Sequence, residues 1–251
     1  MNAEHVLFLE GPEGVVGLPG SALLVAIDET GDEALKDPNH PIFGLGGCAV
    51  MVRDYERRVR APWSYMKSRW FSDVPVLHAV DLRPDAEQIG ALNHFFAKFE
   101  FFRLYSALSD KTQLEAGLDP LSVVGPSLIK RIESLLPFCA GVTEVAMVFE
   151  DSRRVGRFIR STQGYSFDVL EAGMRRTVPI RHFAMPKAAA EPALEVADFL
   201  IHTAGAQVRK RLERPQDPVV RQDFRVMFRC VDRRLTHGLE ITRAGPTDSE
   251  R

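Results

Sequence analysis

Six carboxylates stand where their spacing could do chemistry. Asp28 and Glu29 follow an apolar run from Ala22 to Ile27, Glu150 and Asp151 follow another from Val142 to Phe149, and Glu195 and Asp198 interrupt a third from Leu194 to Ile201. The first two runs read as buried strands. Strand ends on one edge of an open α/β sheet lie together, and that edge is where such sheets place their sites. The third run belongs to a helix expected from about Ala193 to Leu212, which would present Glu195 and Asp198 on one face because positions three apart are neighbours there. Clustered carboxylates cannot all stay ionised at short range without a cation among them, and hard ions such as Mg2+ or Mn2+ choose oxygen ligands. Two such ions about 4 Å apart would activate a water and stabilise the leaving oxygen of an in-line phosphodiester displacement. The expectation is a metal site built from Asp28, Glu150 and Asp198, with Glu29, Asp151 and Glu195 as secondary carboxylates, acting on RNA or DNA.

Each piece also has a plainer meaning. An Asp-Glu pair after a strand is common turn chemistry, and Asp151-Ser152 can cap a following helix. Asp198 resists that treatment: it sits inside an apolar helical run, where an unpaired carboxylate is costly, so it needs a metal or a cationic partner. His78 is either a proton carrier beside the carboxylates or a structural histidine. His202, four residues beyond Asp198, either faces the site or bonds within the core. Arg153, Arg154, Arg157 and Arg160 either contact phosphates or form an exposed helix surface, and Lys187 is a further candidate phosphate contact. Phe95, Phe96, Phe99, Phe101 and Phe102 alternate with charges as a core-packing element should, rather than as a base-stacking surface.

The elements that must position these residues can be read from pattern. The apolar stretch Ile42 to Val52 predicts an antiparallel partner for the first strand. Helix-like spacing covers Tyr55 to Phe71, and Val74 to His78 reads as extended. Arg83-Pro84-Asp85 opens a helix through Lys98. A third strand spans Phe101 to Leu108, and a helix from Leu121 to Leu135 stops at Pro137. After Glu150 a helical stretch is expected through Val169 and Met174, then a short strand near Ile180 to Phe183, the long helix, and a last helix over Val219 to Leu235. The fold class is α/β, with residues 1–20 as an N-terminal extension, 21–243 as one domain and 244–251 as a flexible tail.

In order along the chain, Ile27-Asp28-Glu29-Thr30-Gly31, Phe43-Gly44-Leu45-Gly46-Gly47, Leu77-His78-Ala79-Val80-Asp81-Leu82 and Glu195-Val196-Ala197-Asp198 resemble the motifs of the bacterial domain-of-unknown-function family 3800. That resemblance runs from residue 22 to about 205 and implies a ribonuclease-H-like mixed sheet with flanking helices and a nuclease-like site. Thr30 replaces the commoner Ser, and Glu195 stands where the family has Gln, which makes Glu195 a weaker carry-over than Asp198.

The 251 residues carry a net charge of -2, unevenly spread: residues 1–150 hold 13 Lys+Arg against 21 Asp+Glu, and residues 151–251 hold 19 against 13. A basic half beside acidic site residues suits an anionic, phosphate-bearing ligand, although a solvated arginine-rich surface would give the same count. Hydrophobic residues at 45% and charged at 26% exclude a disordered chain. Cys48, Cys139 and Cys230 are too scattered for a zinc knuckle or disulfide framework, which fits a reducing cytoplasm. Neither a secretory signal at Met1 to Glu10 nor a membrane span is expected. Nucleic acid is the expected partner and self-association is left open. The competing reading is a catalytically idle interaction module of the same fold, for example in phage defence; an actin- or sugar-kinase-like ATPase would need a second phosphate loop that the sequence lacks.

Overall fold

The computed structural model describes residues 7–11, 14–37, 42–109, 119–171, 173–186, 189–211 and 240–242. β1 (Leu7–Gly11) and β2 (Gly14–Leu18) form an antiparallel hairpin. Leu7, Leu9 and Leu18 are buried in the same core as residues of the main sheet and its helices.

β3 (Leu23–Gly31) and β4 (Ile42–Met51) pair antiparallel from Leu23 opposite Met51 to Gly31 opposite Phe43. The hairpin is as expected, but β3 continues past Ile27, where a turn was expected, because β4 supplies a partner for each residue up to Gly31. The chain then forms a continuous helical stretch: α1 (Val52–Tyr55), a π-helical segment Glu56–Arg60, and α2 (Ala61–Trp70). Val74 to His78 joins no strand; residues 71–85 carry neither helix nor strand. α3 (Ala86–Lys98) opens on a capping box in which the Asp85 carboxylate accepts from Gln88 N and Gln88 Oε1 accepts from Asp85 N, both at 2.9 Å.

β5 (Phe102–Ser109) and α4 (Pro120–Leu135) come next. α4 is capped by Asp119, which accepts from Ser122 N at 2.8 Å, and ends in a 3-10 turn at Leu136–Phe138. β6 (Val145–Glu150) leads to α5 (Arg153–Thr162), capped by Ser152, and Gly164, at φ 74, turns the chain after that helix. The helix expected through Val169 and Met174 is instead the antiparallel hairpin β7 (Ser166–Glu171) and β8 (Met174–Met185). Phe167 and Val169 are buried while Ser166, Asp168 and Leu170 are exposed, the two-residue period of a half-buried strand. α6 (Pro192–Arg211) and β9 (Glu240–Thr242) complete the described chain. The helix expected over Val219 to Leu235 and the tail after Ala244 lie outside the described residues.

The main sheet is mixed and runs β7-β8-β6-β3-β4-β5-β9, with β6 parallel to β3 and β8 parallel to β6. Helices flank it on both sides. Leu24 and Ala26 of β3, with Ala146 and Val148 of β6, face a core shared with Trp63, Phe95, Phe96, Val196 and Phe199 from α2, α3 and α6. Val25 and Ile27, with Met147 and Phe149, face the other core, with Leu128 and Ile132 of α4 and Phe158 of α5. Among the described residues no helix is long and apolar enough to cross a membrane.

α6 lies close against β3 and β4 because β4 is rich in glycine. A Cβ on Gly47 would stand 1.9 Å from the carbonyl oxygen of Ala26 and 2.9 Å from Ala197 Cβ. Backbone cannot yield by that much without moving the strand pair or the helix, so Gly47→Ala is expected to cost about 3 kcal/mol. Urea denaturation checks this; a midpoint equal to that of the unaltered protein would refute the close approach.

Candidate functional site

The two-residue period of the strands decides which carboxylates can meet. Asp28 is in phase with Leu24 and Ala26, so it emerges toward α6, and Glu29, in phase with Val25 and Ile27, emerges toward α4 and α5. Glu150 is in phase with Ala146 and Val148 on β6 and shares the α6 side with Asp28. The parallel register pairs Ile27 with Phe149, which sets Asp28 and Glu150 beside one another at the next position. Asp198 arrives from α6, whose Val196, Ala197, Phe199 and Leu200 are buried against the sheet. A cleft of about 230 Å³ runs across this sheet end, lined by Asp28, Glu150, Asp198 and His78 from one side and Glu29 and Arg154 from the other.

Asp28 is half-buried, and its carboxyl is pushed from the ordinary 3.8 up to about 7. Burial is the largest cause and the charge of Asp198 the next; the backbone N–H of Glu29, which donates to Asp28 Oδ1 at 2.8 Å, works against them, and Glu150 and Glu29 add further repulsion. Asp198 Oδ2 accepts from Ala79 N at 2.6 Å and lies 3.3 Å from His78 Nδ1. That nitrogen is buried but not aligned for a hydrogen bond to any described residue.

The remaining sequence candidates are placed differently. Glu195 is buried, with both oxygens taken by protein donors: Oε2 accepts from Trp63 Nε1 at 2.5 Å, and Oε1 from Lys67 Nζ at 2.7 Å and Leu77 N at 2.8 Å. It lines a smaller space of about 30 Å³ together with Asp28, Glu150 and Asp198. Asp151 is exposed and does not line the cleft; its N–H donates to Met185 O at 2.8 Å, and Ser152 rather than Asp151 caps α5. His202 is half-buried on α6. Arg153 is exposed, and Lys187 lies outside the described residues.

Arg154 is held by acids from the first half of the chain. Its NH1 donates to Glu29 Oε1 at 2.7 Å and its Nε lies 3.1 Å from Glu33 Oε2. Arg157 binds Glu33 as well and reaches Asp119 at 3.3 Å. Burial raises the Glu29 carboxyl above its usual range, and Arg154 opposes the shift. Arg181 pairs with Glu144 in the same way, at 3.3 Å. The charge asymmetry of the sequence is thus partly an internal pairing between its two halves. Glu33, Trp63 and Lys67 carry no sequence signal of these roles, since their partners lie more than a hundred residues away. The phenylalanines are core: Trp63 packs edge-on against Phe95 with ring centroids 4.9 Å apart.

Among the described residues, no three His, Cys, Asp or Glu side chains are already gathered in ligating geometry. Compared with models of known protein families and with curated proteins, the chain matches none of them.

Proposed function

We propose that the cleft holds Mg2+ or Mn2+ through Asp28, Glu150 and Asp198 and hydrolyses phosphodiester bonds of RNA or DNA. The observation that carries this reading is the shared cleft: two carboxylates at the ends of neighbouring parallel strands, with a third from the helix laid across them. The donors fit the ion, since all are hard oxygens, and burial together with the charges of Asp198 and Glu150 makes Asp28 hold its proton toward neutral pH. When bound, a divalent ion would activate water and stabilise the leaving oxygen.

The chain's own groups supply the rest. His78, at the cleft beside Asp198, is the candidate for moving a proton to or from a reacting oxygen. Arg154 can exchange Glu29 for a phosphate oxygen without leaving the rim, because both are acceptors of the same planar donor fork. The scaffold reading as ribonuclease-H-like is supported by three antiparallel strands, β3, β4 and β5, followed by β6 and β8 running parallel to β3. Membership of family 3800 belongs to the same proposal and rests on the four short motifs alone.

The test uses labelled single- and double-stranded RNA and DNA with the purified protein, in Mg2+ or Mn2+ and in chelator. Cleavage is expected only with metal, and Asp28→Ala and Asp198→Ala should each lower it by about a thousandfold or more. Cleavage persisting in both variants would end the assignment; binding without cleavage would leave an interaction module.

A further inference from the structure

Glu195 and Asp198 grip one segment at two points. Glu195 Oε1 accepts the N–H of Leu77 at 2.8 Å, and Asp198 Oδ2 accepts the N–H of Ala79 at 2.6 Å. His78 lies between those two amides, with Nδ1 3.3 Å from Asp198 Oδ2. Residues 71–85 have neither helix nor strand; the His78 carbonyl closes a turn by accepting from Asp81 N at 3.2 Å and Leu82 N at 3.1 Å, while the amides on either side of His78 are held by side chains of α6.

Glu195 is itself held from the opposite side. Trp63 donates to it from a ring packed edge-on between Phe95 and Phe199, with centroids 4.9 and 5.5 Å away. Lys67 donates to it and also to Pro75 O, at 2.6 Å, which ties the start of the same segment. Three protein donors fill three of the roughly four acceptor sites of this carboxylate, and Trp63 and Leu77 belong to a packed core, so an ion is left at most the single remaining site on Oε2 unless it displaces one of them. The same geometry gives a reason for glutamate where the resembled family has glutamine. All three donors are N–H groups, and an amide would have to turn its own NH2 toward either Trp63 or the Lys67 and Leu77 pair.

We infer that Glu195 is a positioning residue that locks Leu77-His78-Ala79 against α6, sets His78 beside Asp198 at the cleft, and ligates no ion held there. The chemical part of this rests on the metal-dependent reading of the cleft; the lock itself does not.

The experiment compares Glu195→Ala with Val196→Ala, a neighbouring truncation in the same core that removes no hydrogen bond to the segment. Backbone amide exchange at residues 77 and 79 should speed up about tenfold more in Glu195→Ala than in the control. Glu195→Gln, which keeps one oxygen for Leu77 N, should retain part of that protection. Mn2+ affinity, by calorimetry on the full chain, should fall by no more than about 10–100-fold in Glu195→Ala, as for a group outside the ligand set, and be lost in Asp198→Ala. Where cleavage is measurable, the Glu195→Ala and His78→Ala effects on kcat should be less than additive, since one acts through the other. Exchange at 77 and 79 no faster than in the control, or Mn2+ affinity falling as far as in Asp198→Ala, would overturn the inference. If the unaltered protein neither binds Mn2+ nor cleaves nucleic acid, the proposed function fails on its own, and the exchange comparison alone decides the lock.

Discussion

Mn2+ will bind roughly 30-fold more weakly at about pH 5.5 than at about pH 8, and Asp28→Asn will remove most of the binding at both. The proton is the competitor. With the Asp28 carboxyl at about 7, roughly 3 per cent of it is ionised at the lower pH and about 90 per cent at the higher. Only the ionised form is a ligand, so the apparent affinity follows that fraction. The proton belongs to a group of carboxylates rather than to one side chain, because Asp198 and Glu150 repel the Asp28 charge across the same cleft. Titration near pH 6 in buffers of differing ionisation enthalpy should therefore report about one proton released per ion bound. Equal affinity at the two pH values would show that the cluster is not shared by proton and metal, and the metal reading of the cleft would fall with it.

The parts of this site that were legible in the sequence are those encoded by local pattern. Six apolar residues before Asp28 and the apolar run before Glu150 specify buried strands, and buried strands of an α/β sheet deliver the residues at their ends to one edge. Asp198 was legible by contrast, as a carboxylate inside an apolar helical run. The face that Glu29 takes was not legible, because β3 was expected to break at Asp28. Once the strand continues to Gly31, its period of two sends Glu29 to the opposite face, where it meets Arg154. The β7–β8 hairpin was legible in principle, since Ser166 to Val169 alternates polar and apolar, but four residues of alternation after a helix are easily taken for its continuation.

Pattern cannot encode a partner supplied by topology. Arg154 and Arg157 read as a basic surface for phosphate, yet the parallel pairing of β3 and β6 brings the start of α5 beside Glu29 and Glu33. Glu195 read as a ligand because it stands three residues from Asp198. Its donors come from α2 and from the irregular segment at Leu77, which are 132 and 118 residues away in the chain. A buried carboxylate announces only that it needs a partner; whether that partner is an ion or a ring of N–H groups is settled by which elements pack around it.

The metal-free protein should gain stability from losing the charge at Asp28. A carboxyl raised from 3.8 to about 7 keeps, in the folded state, a proton that the unfolded chain has already released over that interval. Stability to unfolding therefore falls as pH rises from about 4 to about 7, and the loss is complete above the folded value. The whole gap corresponds to about 4 kcal/mol. Asp28 is only half-buried, and water reaching it screens part of that cost, so about 1–3 kcal/mol is expected. Asp28→Asn keeps an oxygen for the Glu29 N–H, now 2.8 Å from Oδ1, and turns an NH2 toward acidic neighbours instead of a fourth negative charge. It should be more stable than the unaltered protein by that amount at about pH 8, and the two should converge near pH 4. Urea denaturation at both pH values checks the sign; a variant no more stable at pH 8 would mean that burial and the neighbouring carboxylates together do not disfavour the Asp28 charge. Adding Mn2+ should then reverse the order. An ion at about a hundred times its Kd stabilises the unaltered protein by about 2.7 kcal/mol and does little for a variant that cannot hold it. A crossing of the two stabilities on adding metal distinguishes carboxylates crowded for an ion from carboxylates crowded by the fold alone.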